Sequence, residues 1–177
     1  YYVLYNTKEK ENPGIIEDAQ QMLRDWEAGD KEVRDLWKKM NDWVLDGFKE
    51  TYQRMGIAFD RYYYESETYK GGKELILDAL EKGICHKEEN GAVAIDLEAE
   101  KLSMKILLRG DGTSMYITQD INTTVTKFEE FENKLDHCLF VVGNEQENHF
   151  KVLFAVLKKF GFDWADRCEH LSYGMIT

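Results

Sequence analysis

No apolar run in this 177-residue chain approaches the roughly 18 residues that a membrane-spanning helix needs. No charged segment leads into an apolar one as in a secretory signal peptide, so no membrane role is expected. Basic residues are few beside acidic ones, 23 against 34, which leaves a formal net charge of −11 at pH 7. A surface this acidic repels phosphate backbones, which argues against nucleic-acid binding by this segment alone. It favours a cationic small ligand or a basic partner, or simply keeps the chain in solution. Cysteine is scarce too: Cys85, Cys138 and Cys168 are odd in number and widely spaced. With no C-x-x-C pair, they read as reduced thiols in a reducing compartment, and a zinc site built with His86, His137, His149 or His170 is not expected. The single proline, Pro13, leaves no room for a proline-rich linker. An initiator methionine is also missing and YYVLYNTK begins in mid-pattern, so the chain is expected to be a piece of a longer protein.

What is present is 43% hydrophobic and 13% aromatic, enough for a core in one domain or one and a half. After the turn at ENPG, Ile16, Ala19, Met22, Leu23 and Trp26 recur at helical spacing over about residues 15–26. Gly29 stops that helix and Asp30 is placed to cap the next. The second helix carries Val33, Leu36, Trp37, Met40, Val44, Phe48, Tyr52 and Met55 as one stripe, expected to pack into a core, and ends at Gly56. Residues 57–64 are rich in β-formers and read as a strand running into Glu65. Gly71-Gly72 reads as a break before the amphipathic stretch KELILDALEKG. Short strands separated by NG and DG turns, over about residues 84–109, suggest a small antiparallel meander.

The last third has a different texture. Residues 114–118 alternate like a strand, with Tyr116 on one face and Asp120 at the cap of a following helix. LDHCLFVVG is continuously apolar, which predicts a strand covered on both faces, as in a parallel sheet. A helix follows with Phe150, Leu153, Phe154 and Leu157 inward, and HLSYGMIT reads as one more strand. Such a β-α-β-α-β run binds ligands beyond the carboxyl ends of its strands. Glu65, Tyr116 and Asp120, and Gly143 followed by Asn144, Glu145 and Gln146, are then expected at one rim. A glycosidase-like carboxylate pair is one reading of this set, but nothing resembles a sugar platform. Two acids, a phenol and a carboxamide suit a bound guanidinium better, because carboxylates match its planar fork bidentately and a tyrosine ring stacks on it. Gln146 is long enough to reach the zwitterionic end of such a ligand.

Five segments, in order along nearly the whole chain, resemble motifs of arginyl-tRNA synthetases. TSMYITQDI is similar to Y-x-T-x-D-I, FVVGNEQENHF to V-V-G-x-x-Q-x-x-H-F, and HLSYGMIT to H-x-x-Y-G-M-V. FDRYYYESETY is similar to F-D-x-Y-x-x-E-S and NGAVAIDL to D-G-A-x-x-x-D-L. The helix GDKEVRDLWKKMNDWVLDGFKETYQRMG fits the family's connective helices.

The resemblance implies an α/β fold: part of a Rossmann-like class I catalytic core, with a parallel sheet, a helical connective segment at 1–56 and a small antiparallel insertion at 73–111. The core itself would be 57–72 and 112–177. It implies a cytoplasmic, monomeric enzyme that makes arginyl-adenylate from arginine and ATP with Mg2+ and then charges tRNA. Glu65, Tyr116 and Asp120 would hold the guanidinium and Gln146 the α-amino end. Gly143, Glu145, His149, His170, Tyr173, Gly174 and Met175 would line the ATP site, with His170–Met175 at the adenine. No residue is expected to act as a general base, because the substrate carboxylate is the nucleophile. The HIGH and KMSKS motifs and an anticodon-binding domain are absent, Gln119 replaces the family's usual arginine, and Glu145 stands where aspartate is common. The piece is therefore expected to be inactive alone, to bind no cofactor by itself, and to meet tRNA only through its parent. The alternatives are another class I synthetase or nucleotidyltransferase core, or a non-catalytic paralogue acting as an interaction module.

Overall fold

The computed structural model describes residues 2–174. It forms two compact units, Tyr1–Arg61 and Tyr62–Thr177.

The first unit is helical: α1 (Tyr2–Glu11), α2 (Ile15–Ala28) and α3 (Lys31–Met55). The joint between α2 and α3 is set by local chemistry. Gly29 takes φ 92°, the left-handed conformation that a side chain disfavours, and closes α2. The Asp30 carboxylate then accepts the Val33 amide at 3.0 Å and opens α3. Across this joint the Trp26 and Trp37 rings meet edge to face with centroids 5.2 Å apart, and the Arg34 guanidinium donates to the Trp26 carbonyl at 2.8 Å. The stripe on α3 is not core. No residue of α2 or α3 is buried, and Met40, Val44 and Phe48 are each about half exposed. An amphipathic period shows where a helix is apolar, but not that the chain at hand supplies the covering surface.

The second unit holds α4 (Glu65–Glu81), β1 (His86–Lys87), β2 (Val93–Ile95), β3 (Lys105–Leu108), α5 (Tyr116–Glu130), β4 (Cys138–Gly143), α6 (Glu147–Lys159) and β5 (Cys168–Tyr173). The meander is confirmed: β1, β2 and β3 pair antiparallel in order, with an irregularity between Val93 and Ala94. So is the parallel pairing at the end, where β4 and β5 run side by side from Cys138↔Cys168 to Gly143↔Tyr173 with α6 as the crossover. All the buried apolar residues among those described belong to this unit, with Ile76, Leu107, Ile117, Ile121, Phe128, Leu153 and Leu157 almost fully enclosed. Trp164 is sandwiched between Phe128 and Phe162, with ring centroids 4.0 and 4.7 Å away.

Four expectations are corrected. Residues 57–64 form no strand; the β-formers find no partner strand among the described residues. Residues 114–118 are not a strand either, apart from one isolated bridge from Ser114 to Leu108. Helix α5 already begins at Tyr116, because Ile117, Ile121, Val125 and Phe128 make a helical face that the core takes up. The Gly71-Gly72 pair does not break the chain but lies inside α4. A Cβ on Gly72 would sit 2.5 Å from the Thr118 carbonyl oxygen, and one on Gly71 2.7 Å from the Asn122 side chain, so the glycines let α4 and α5 approach closely. Polar bonds pin that crossing: Asn122 donates to the Thr68 carbonyl at 2.6 Å and the Thr68 and Thr123 hydroxyls are 3.1 Å apart. Finally, β4 is covered on one face only. Leu139 and Val141 are exposed, as are Leu171 and Tyr173 on β5.

Candidate functional site

Tyr116 and Asp120 lie four residues apart at the start of α5, so they share one helical face one turn apart. This, rather than a strand tip, is why the sequence spaces them so. Asp120 is not the helix cap; that position belongs to Met115. Glu65 is the first residue of the neighbouring α4. The two carboxylates act on the phenol: Asp120 most, then partial burial, then Glu65, raise the pKa of Tyr116 above its ordinary value. A phenol held between two acids stays protonated and neutral, and with more than half its surface exposed its ring is open to a ligand.

The third wall comes from α6. His149, in its first turn, has Nε2 2.7 Å from Asp120 Oδ2, with both side chains partly shielded. Its ring lies 5.1 Å from Tyr116 and 5.4 Å, edge on, from Phe150. Phe150 in turn stacks on His170 at 4.5 Å. His170 Nε2 donates to the Val142 carbonyl at 3.0 Å, which fixes the ring between β4 and β5. The four rings form a continuous row from α5 through α6 to β5.

Between β4 and α6, a turn at Asn144–Gln146 carries the remaining residues. Gly143 is buried, and a Cβ there would fall 2.4 Å from a Glu145 carboxylate oxygen, so only glycine lets that carboxylate fold back over the strand end. Gln146 is half-buried at the N-terminus of α6. Tyr173 and Gly174 lie exposed at the exit of β5, and Met175 falls outside the described residues. Sequence reasoning named Glu65, Tyr116 and Asp120 together but gave no sign of the His149–Asp120 pair, expecting His149 among the ATP residues. The only signal was the H-F that follows the glutamine motif, 29 residues from Asp120. Among the described residues no cluster of three or more His, Cys, Asp or Glu could hold a metal ion, and no helix is long and apolar enough to cross a membrane.

Helix ends bearing acids, a phenol and a turn after a parallel strand come together in an α/β core. The chain belongs to the class I (R) tRNA synthetases, catalytic-domain family, whose model matches residues 1–177. It is 55% identical to the arginine–tRNA ligase of Treponema denticola over 99% of this chain and 30% of that protein. It is 51% identical to that of Phocaeicola vulgatus over 96% of this chain and 28% of that protein. The chain therefore spans about 30% of the length of these relatives. Among solved structures, the arginyl-tRNA synthetase of Plasmodium falciparum superposes with a TM-score of 0.76 at 18% identity, covering 98% of this chain and 29% of that one. The Thermus thermophilus arginyl-tRNA synthetase gives 0.63 at 16% identity, over 87% of this chain and 34% of that one. These likenesses establish the fold.

Proposed function

We propose that this chain is the arginine-selecting part of an arginine–tRNA ligase, an enzyme that joins arginine to its tRNA through an adenylate made with ATP. The observation that carries this is the meeting of Glu65, Tyr116 and Asp120 around an open phenol ring. The two acids pair with the guanidinium, the ring of Tyr116 stacks against it, and Gln146 takes the α-amino end. Gly143, Glu145, His170, Tyr173, Gly174 and Met175 form the nucleotide side, and His149, paired with Asp120, stands on the arginine side. On this reading 1–56 is a connective helical segment, 57–72 with 112–177 the core, and 73–111 an insertion. The parent is a cytoplasmic monomer that meets tRNA through surfaces outside this acidic chain.

In the parent, Mg2+ would arrive with ATP and be held largely by its phosphates and water. The chain's own contribution is orientation: it holds the side chain of the amino acid while the substrate's carboxylate attacks. The chain alone is expected to be inactive, since it contains neither HIGH nor KMSKS.

Asp120→Asn in the parent enzyme tests the reading. Breaking a partly buried charge pair typically costs about 3–5 kcal/mol, so the KM for arginine should rise by about a hundredfold or more. The KM for ATP should change far less. An unchanged KM for arginine would mean that Asp120 serves only α5 and His149. Lysine, a point charge that cannot fill two bidentate acceptors, should be discriminated against by about 10⁴ or more.

A further inference from the structure

Cys138 opens β4 and Cys168 opens β5, and the two are direct partners in the parallel register. Neighbouring strands lie about 4.8 Å apart, inside the roughly 4.4–6.8 Å between Cα atoms that a disulfide spans. Because they are paired and both buried, their side chains share the inner face, while the next residues along, Leu139 and Glu169, are exposed. Both are free thiols. The sequence, with 29 residues between them, gives no hint of this. It lies at the strand end opposite Gly143 and Tyr173, so it is separate from the candidate arginine site.

We propose that Cys138 and Cys168 form an oxidisable dithiol, a modification site at which a hydroperoxide closes an intramolecular disulfide. The polarity of the pair assigns the roles. The adjoining Cys168 thiol and the nearby Lys127 ammonium bring the Cys138 thiol down to about 7, while the adjoining Cys138 and burial hold Cys168 well above its ordinary value. Cys138 is therefore the nucleophile, with a pKa near ambient pH, where thiolate population and nucleophilicity balance best. Its thiolate attacks one oxygen of the peroxide, the O–O bond breaks, hydroxide leaves, and Cys138 becomes a sulfenic acid. Cys168 sulfur then attacks Cys138 sulfur, the S–O bond breaks, and the Cys168 proton leaves with the hydroxyl as water. In sum, two thiols are oxidised to one disulfide and one peroxide is reduced to two waters. Cys85 provides an internal control: burial pushes its thiol up to about 11, and it lies just before β1, away from the β4–β5 pair.

The test is to treat the reduced chain with hydrogen peroxide, denature it in N-ethylmaleimide and measure its intact mass. The expected product has lost two hydrogens and carries one maleimide, on Cys85, instead of three, and its digest contains a 138–168 cross-linked peptide. Cys168→Ala should stop at a sulfenic acid on Cys138 that dimedone traps, and Cys138→Ala should leave Cys168 unmodified at the same dose. Three maleimides after peroxide, a link to Cys85, or links only between molecules would overturn the proposal. So would Cys168 reacting readily without Cys138. If a variant fails to fold, the wild-type mass and digest decide alone.

Discussion

The two units solve different problems with similar helices. In Tyr62–Thr177, α5 turns one face into a core and buries Ile117, Ile121, Val125 and Phe128. In Tyr1–Arg61, α3 is longer and as regularly patterned, yet none of its residues is buried. One helix is held by packing. The other is held by its cap, the Trp26–Trp37 contact and pairs such as Lys38–Asp42, which are exposed and worth little each. Helix periodicity is thus a statement about one side of a contact, and tertiary stability needs both.

Substitutions can break or sharpen this contrast. The largest difference is expected from matched truncations. Leu153→Ala, at a fully enclosed site, should cost about 2–5 kcal/mol. Met40→Ala, half exposed on α3, should stay within about 0.5 kcal/mol. Denaturant midpoints followed by far-UV circular dichroism would check both, and equal losses would erase the distinction. Next come the glycines. Gly72→Ala forces a Cβ against the Thr118 backbone and should destabilise by about 1–3 kcal/mol. In α3, Gly47 has nothing within 4 Å of such a Cβ. There the same change should instead stabilise, by about 0.5–1 kcal/mol. Asp30→Ala removes the cap of α3 and should cost about 1 kcal/mol, read most clearly as faster amide exchange at Val33 and its neighbours. The smallest effect is spectral: the Tyr116 phenol should ionise above the ordinary tyrosine range in ultraviolet titration, and Asp120→Asn should lower its midpoint.

Legibility followed the range of the interaction. Gly29, Asp30 and Gly56 announced the ends of α2 and α3 because capping is local. The alternation Met115, Tyr116, Ile117, Thr118 was misread as a strand. Four residues cannot separate a period of 2 from the onset of a 3.6-residue period, and the deciding residues Ile121 and Val125 lie further on. Gly71-Gly72 misled because a glycine that permits a close helix crossing looks, in sequence, like one that ends a helix. At the candidate site Glu65, Tyr116 and Asp120 lie near one another on α4 and α5, not at the strand tips where they were expected. His149 joined them through a contact that only the placement of α6 against α5 creates. The resemblance carried the family, now shown, while the residue roles stand as the proposal above.

The Phe128–Trp164–Phe162 stack has a practical consequence. Trp26, Trp37 and Trp43 all lie in the first unit, so Trp164 is the second unit's only indole. It is buried against two rings, and its emission should be blue-shifted relative to the other three. With those three replaced by phenylalanine, the chain would carry a single fluorophore seated in the core that supports α5 and α6. Light emitted from that one ring would then show when this scaffold loosens, independently of anything the helices of the first unit do.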